Sequence, residues 1–205
     1  MVLLCYLPAA IYLIRRLAPD KTYFILALFW LMNGIQYTPD IFAWSWFTQK
    51  IDNQIILFYN LLEAPMILLI FWFAYRTKSL LYLLQGMVVF EIGMLIWKGH
   101  NFTSSVPIVA VGSLIGLSLN IWAISAYFRK MKHDSFETTM AFANAGFIFY
   151  YGLSAVTLFF NYLNYSVDTL PYVRFINAVS IIMATGVTVT GLWRYARSPL
   201  QEELD

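Results

Sequence analysis

The sequence predicts an all-α integral membrane protein: a bundle of seven helices, N-terminus outside and C-terminus inside. Three observations lead there. The chain is 60% hydrophobic and only 12% charged, with a mean hydropathy of +0.66. A soluble domain is roughly a quarter charged. The apolar residues gather in continuous stretches of about 15–25 residues, the length that crosses a bilayer as a helix. A transmembrane barrel would show short alternating strands instead. Finally, Lys and Arg fall in alternate loops between these stretches.

The spans are predicted over residues 2–14, 22–38, 54–75, 79–97, 106–128, 139–162 and 172–194, forming one transmembrane domain over 1–205. The first is short. It rises ~20 Å at 1.5 Å per residue, against a hydrocarbon core of ~30 Å. It either continues through Leu17, with Arg15 and Arg16 snorkelling, or leans on its neighbours. Its charges follow it rather than precede it, as expected of an uncleaved helix inserted N-terminus outside.

The second span carries Asn33, Gln36 and Tyr37 near its end, at i, i+3 and i+4, so they share a face. The third contains "YNLLEAP", where Tyr59, Asn60 and Glu63 repeat that spacing and Pro65 follows. Pro65 frees the carbonyl of Leu61 and is expected to bend the helix. The fourth holds Glu91 and, seven residues on, Lys98. They lie on one face but ~10 Å apart along the axis. The fifth carries "GSLIG", Gly112 to Gly116, a small-xxx-small packing pattern. Tyr150 and Tyr151 fall mid-sixth. Asn177 and Ser180 open the seventh, followed by the packing stripe Ala184, Thr188, Gly191.

Orientation follows from the positive-inside rule. Ten of the thirteen Lys and Arg fall on one side: Arg15, Arg16, Lys21, Arg76, Lys78, Arg129, Lys130, Lys132, Arg194 and Arg197. Lys50, Lys98 and Arg174 fall on the other. Seven spans with the N-terminus outside produce this alternation; a missed helix would scramble it. The longest predicted outside loop, residues 38–54, carries Trp44, Trp46 and Phe47 as interfacial anchors. Asn101 and Asn164 head glycosylation sequons in outside loops.

Several chemistries fail on their central residue. A retinal Schiff base needs a lysine in a span, and the seventh has none. A zinc site needs three or four converging ligands. The two histidines, His100 and His133, fall in loops on opposite sides. No cofactor is therefore expected. Cys5 is the single cysteine, so no intramolecular disulfide forms. A net charge of +2 gives no reason to expect nucleic acid.

What remains is a set of polar groups inside the spans. Ionisable groups there are costly and are functional candidates by default. Glu63, Asn60, Tyr59, Glu91, Asn33, Gln36, Tyr37, Lys98 and Asn177 all fall at middle-to-outer depth. They predict an outward-biased polar cavity centred on Glu63. A carboxyl that takes and loses a proton is what a proton-coupled transporter uses; a neutral one can donate to a ligand. The expected partners are the lipid bilayer and a small-molecule or lipid ligand. Two other readings stand beside this transporter or binding protein. One is a receptor signalling through a protein partner at the basic loop 129–133. The other is a structural subunit of a membrane complex, the carboxylates pairing with another chain. An intramembrane enzyme comes last, since no nucleophile or metal set supports it.

Overall fold

A computed structural model describes residues 2–15, 17, 20–42, 49–99, 102–163 and 170–196. Side chains are described at 2–15, 17, 20–38, 54–99, 105–157, 172 and 175–196. Trp44, Trp46, Phe47, Asn101 and Asn164 fall outside these sets.

The described residues are all-helical, with no strand. The first predicted span forms two short pieces, α1 (Val2–Cys5) and α2 (Leu7–Ile14). Pro8 explains the break. It has no N–H for the carbonyl of Leu4 and its ring crowds that carbonyl, so the chain turns at Tyr6. The other six spans are single helices: α3 (Lys21–Phe42), α4 (Gln49–Tyr75), α5 (Lys78–Lys98), α6 (Phe102–Arg129), α7 (Ser135–Leu163) and α8 (Leu170–Arg194). Five of the seven segments, all but the first and α3, are long and apolar enough to cross a membrane. α3 fails on composition because Lys21, Asn33, Gln36 and Tyr37 lower its hydropathy. Its buried Phe29, Trp30 and Asn33 turn inward all the same.

The ends follow local chemistry. Asp20 caps α3, its Oδ1 accepting from the backbone N–H of Thr22 at 2.7 Å and of Tyr23 at 3.3 Å. Asp134 and Glu137 form a capping box at α7: Asp134 Oδ1 accepts the Glu137 N–H at 2.6 Å, and Glu137 Oε2 accepts the Asp134 N–H at 3.4 Å. Between α4 and α5 only Arg76 and Thr77 intervene. Arg76 turns the chain with φ 54°, in the left-handed region. α3 and α4 run further into the predicted 38–54 loop than hydropathy suggested. Hydropathy marks the hydrocarbon boundary, whereas a helix with satisfied backbone continues through the headgroup region.

The helices close a ring. The first segment packs on α3, α3 on α4, α4 on α6, α6 on α7, α7 on α8, and α8 returns to α1 and α2. α5 lies outside the ring, against α4 and α6. Arg15, after α2, sits 5.8 Å from the ring of Trp193 on α8, so the short first segment does lean on its neighbours. Inside, Trp30 stacks on Phe147 at 5.9 Å, and Phe29 meets the same ring edge-on at 5.0 Å. These aromatics fill the centre between α3 and α7.

Small residues set the closest approaches. A Cβ on Gly146 of α7 would lie 2.6 Å from the carbonyl oxygen of Ala184 and from Thr188 Oγ1 on α8. The small stripe of the seventh span is thus the α7–α8 seam. A Cβ on Gly116 of α6 would lie 2.9 Å from the Tyr151 ring. That glycine gives Tyr151 its place beneath the site described next. α4 runs unbroken through Pro65.

Candidate functional site

Six of the nine sequence-nominated residues line one cavity. They are Gln36 and Tyr37 of α3, Tyr59, Asn60 and Glu63 of α4, and Asn177 of α8. Helix periodicity explains the convergence. Tyr59, Asn60 and Glu63 lie within one helical turn, and Asn177, Ser180 and Ile181 do the same on α8. α7 adds Tyr150, Ser154 and Thr157 at i, i+4 and i+7, and α6 adds Val109 and Ser113. The cavity holds about 190 Å³. It lies where α3 and α7 end and α4, α6 and α8 begin, the same end of the bundle for all five. Among the described residues, its apolar lining is Val109 and Ile181, and none of the described lining residues is Lys, Arg or His.

Asn33 stands just behind the lining. Its Nδ2 donates to the Tyr59 hydroxyl at 2.5 Å, and that hydroxyl lies 3.1 Å from the hydroxyl of Tyr150. α3, α4 and α7 are thereby tied at one point. Ser180 ties α8 to the same place, its Oγ donating to the carbonyls of Phe149 at 3.1 Å and Tyr150 at 3.3 Å. The Glu63 carboxyl is buried among the hydroxyls of Tyr59, Tyr150 and Tyr151. Tyr151 approaches it but closes no hydrogen bond in this conformation.

Two acceptors here are buried and unmet, Gln36 Oε1 and Asn33 Oδ1. Buried polar atoms in a protein normally find a partner. Asn33 lies behind the lining, so on the cavity wall itself the Glu63 carboxyl and the unmet Gln36 carbonyl are the acceptors that a donor would satisfy. Away from it, the bundle is sealed. Ile67, Ile70 and Phe71 of α4 and Phe147 and Tyr151 of α7 are all almost fully buried one to two turns along.

The other two nominated residues lie elsewhere. Glu91 is buried on α5 with Met87 and Met94 on the same face, turned to the apolar cluster of Ala64, Leu68 and Ile108. Its Oε1 has no hydrogen-bond partner. Lys98 is exposed at the end of α5, its Nζ 5.1 Å from the ring of Trp97. Neither lines the Glu63 cavity. Depth along the axis places them level with the cavity, but α5 stands outside the ring.

Sequence reading passed over Ser113, Ser154 and Thr157. Their signal was the i, i+4, i+7 continuation from Tyr150. Hydroxyls are common in membrane helices because the preceding turn satisfies them, as the Ser154 carbonyl does for Thr157 Oγ1 at 2.8 Å. No group of three or more His, Cys, Asp or Glu able to hold a metal occurs among the described residues. No family model, curated protein or solved structure matches this chain.

Proposed function

We propose that this chain is an integral, multi-pass membrane protein that binds and carries a small, donor-rich solute, exchanging it against a proton on Glu63. The observation that supports this reading is the Glu63 carboxyl together with the unmet Gln36 carbonyl in a cavity whose described lining residues include no cation. An anion entering it would meet the Glu63 carboxyl and the unmet Gln36 carbonyl oxygen. An ammonium or polyhydroxylated solute would supply the missing donors, and tyrosine rings favour a cation further.

Size and polarity select a small solute over a lipid. About 190 Å³ equals roughly six waters at ~30 Å³ each. An acyl chain needs a long apolar channel, and among the described lining residues Val109 and Ile181 alone are apolar. The Lys and Arg count assigns the cavity end to the outside. The packed layer at Ile67, Ile70 and Phe147 then acts as the closed inner gate. A proton and an ammonium compete for one carboxylate, so loading one releases the other. That competition is the coupling.

The test is uptake into proteoliposomes across a pH series. Labelled ethanolamine and erythritol serve as donor-rich probes and acetate as the anionic control. Wild-type protein should accumulate a donor-rich probe in a pH-dependent way and reject acetate. Glu63→Gln should abolish the pH dependence while keeping helicity and a monodisperse elution profile. Uptake by Glu63→Gln with unchanged pH dependence overturns the proposal.

A further inference from the structure

A second cavity, of about 270 Å³, opens at the opposite end of the bundle, where α4 and α6 end and α7 begins. Its character differs from that of the Glu63 cavity. The walls are built from small and aromatic residues, among them Ala74, Ala126, Ala141, Tyr127 and Phe136. The floor is one polar pair: Asn144 Nδ2 donates to the Tyr75 hydroxyl at 3.4 Å. Asn144 is 1% exposed, and its Oδ1 has no partner. Turning the amide over exchanges the two atoms and leaves the other end unmet. One end of a deeply buried amide on the cavity lining is therefore unmet.

The charged groups at the rim are already used. Lys130 pairs with Glu137, and Asp134 and Glu137 cap α7. His133 stacks on Tyr127, ring centroids 3.7 Å apart and planes 20° apart, making a flat aromatic side to the cavity. His133 Nδ1 is, like Asn144 Oδ1, buried and unmet on this lining; apolar walls with a few convergent polar groups are the usual form of a small-molecule site.

We infer that this cavity is a second ligand site, taking a small uncharged molecule with a hydroxyl head and an apolar or aromatic body. The hydroxyl reaches the unmet end of Asn144; the body lies along Tyr127 and the alanine walls. An ion gains nothing at a neutral floor and would lose its hydration. Such a head and body belong equally to a soluble aromatic alcohol and to a glycerol-headed membrane lipid.

Photolabelling of the full chain in nanodiscs with a diazirine-bearing benzyl alcohol tests this. Mass spectrometry should place the label on the cavity segments of α6 and α7, and unlabelled competitor should remove it. Competition by benzyl alcohol identifies a free solute; competition by a monoacylglycerol alone identifies a membrane lipid. Benzylamine and benzoate should compete poorly. Asn144→Leu should weaken labelling about tenfold, the scale of one buried polar contact. Should that variant fail to fold, Ala126→Phe, at an exposed position, fills the space and should also lose the label. Label confined to lipid-facing residues, no competition, or equal competition by the charged analogues overturns the inference.

Discussion

Asn33 and Tyr59 join α3 to α4 through a 2.5 Å hydrogen bond beside Glu63, and Tyr59 passes the contact on to Tyr150 of α7 at 3.1 Å. Asn33 is fully buried and Tyr59 nearly so. Tyr59→Phe removes the acceptor of Asn33 and the partner of Tyr150 in one step. Interhelical hydrogen bonds in membranes are worth about 0.6 kcal/mol on average and about 1.7 at most. Tyr59→Phe and Asn33→Leu should each destabilise on that scale, and the double variant by less than their sum. A double-mutant cycle from unfolding in bicelles checks this. Strict additivity would show that the two residues do not act together.

Glycine at 146 holds α7 against α8. Gly146→Ala would push a methyl within 2.6 Å of backbone and a hydroxyl. Thr188 can turn its hydroxyl aside, but the Ala184 carbonyl is backbone and cannot, so the helices must part. Overpacking of this kind costs about 1–3 kcal/mol. Gly86 on α5 is the control, because nothing lies within 4 Å of its Cβ position. Gly86→Ala should be neutral or gain up to about 1 kcal/mol of helix propensity. Thermal unfolding of the pair in one detergent should move in opposite directions, or for Gly146→Ala alone.

The spans were legible because each is a continuous apolar run broken by Lys or Arg. The break at Tyr6 could be traced to Pro8 only once the helix was seen on both sides of it. Within the site, i, i+3 and i, i+4 spacing grouped Tyr59, Asn60 and Glu63 correctly on one helix, and depth matched them to Gln36, Tyr37 and Asn177. Depth says nothing about azimuth around the bundle. Glu91 and Lys98 share the level of Glu63 but stand on the one helix outside the ring. Asn144 is legible as one of the few polar residues of the plainer inner half, with Gln85 and Asn120, but the cavity around it is not. That cavity arises from alanines on three helices, and alanine in a span carries no positional signal.

The loop between α4 and α5 stores a local strain. Arg76 adopts φ 54°, which suits glycine or asparagine and is costly for most L-residues. Arg76→Asn should be tolerated. Arg76→Val, β-branched in a left-handed position, should cost about 1–2 kcal/mol. Hydrogen exchange at the end of α4 should rise in the valine variant only. Equal exchange in both variants would mean that the turn rearranges freely.

Asp20 and Asp134 cap α3 and α7 through 2.7 Å and 2.6 Å bonds. Replacing either by Ala should cost about 1 kcal/mol, and by Asn much less. The ion pair of Lys130 with Glu137 is exposed, so Lys130→Met should change stability by under about 1 kcal/mol. Thermal unfolding of the five variants gives the ranking. A larger loss for Lys130→Met than for Asp134→Ala would reverse the assignment of the box as the stabilising element.

Glu91 separates site from scaffold. It is a buried carboxyl with an unmet oxygen, flanked by Met87 and Met94 and facing the apolar cluster of α4 and α6. A buried acceptor without a partner is destabilising, and replacing it by an apolar group of similar length removes that cost. Glu91→Met should therefore raise stability by about 1 kcal/mol. Because Glu91 does not line the Glu63 cavity, uptake of the donor-rich probe and its pH dependence should match wild type. Both readouts come from one preparation: a thermal melt and a proteoliposome pH series. A stabilised variant with intact uptake assigns coupling to Glu63 alone. A stabilised variant with lost pH dependence would place Glu91 on the proton path and show that α5 moves against the ring during transport.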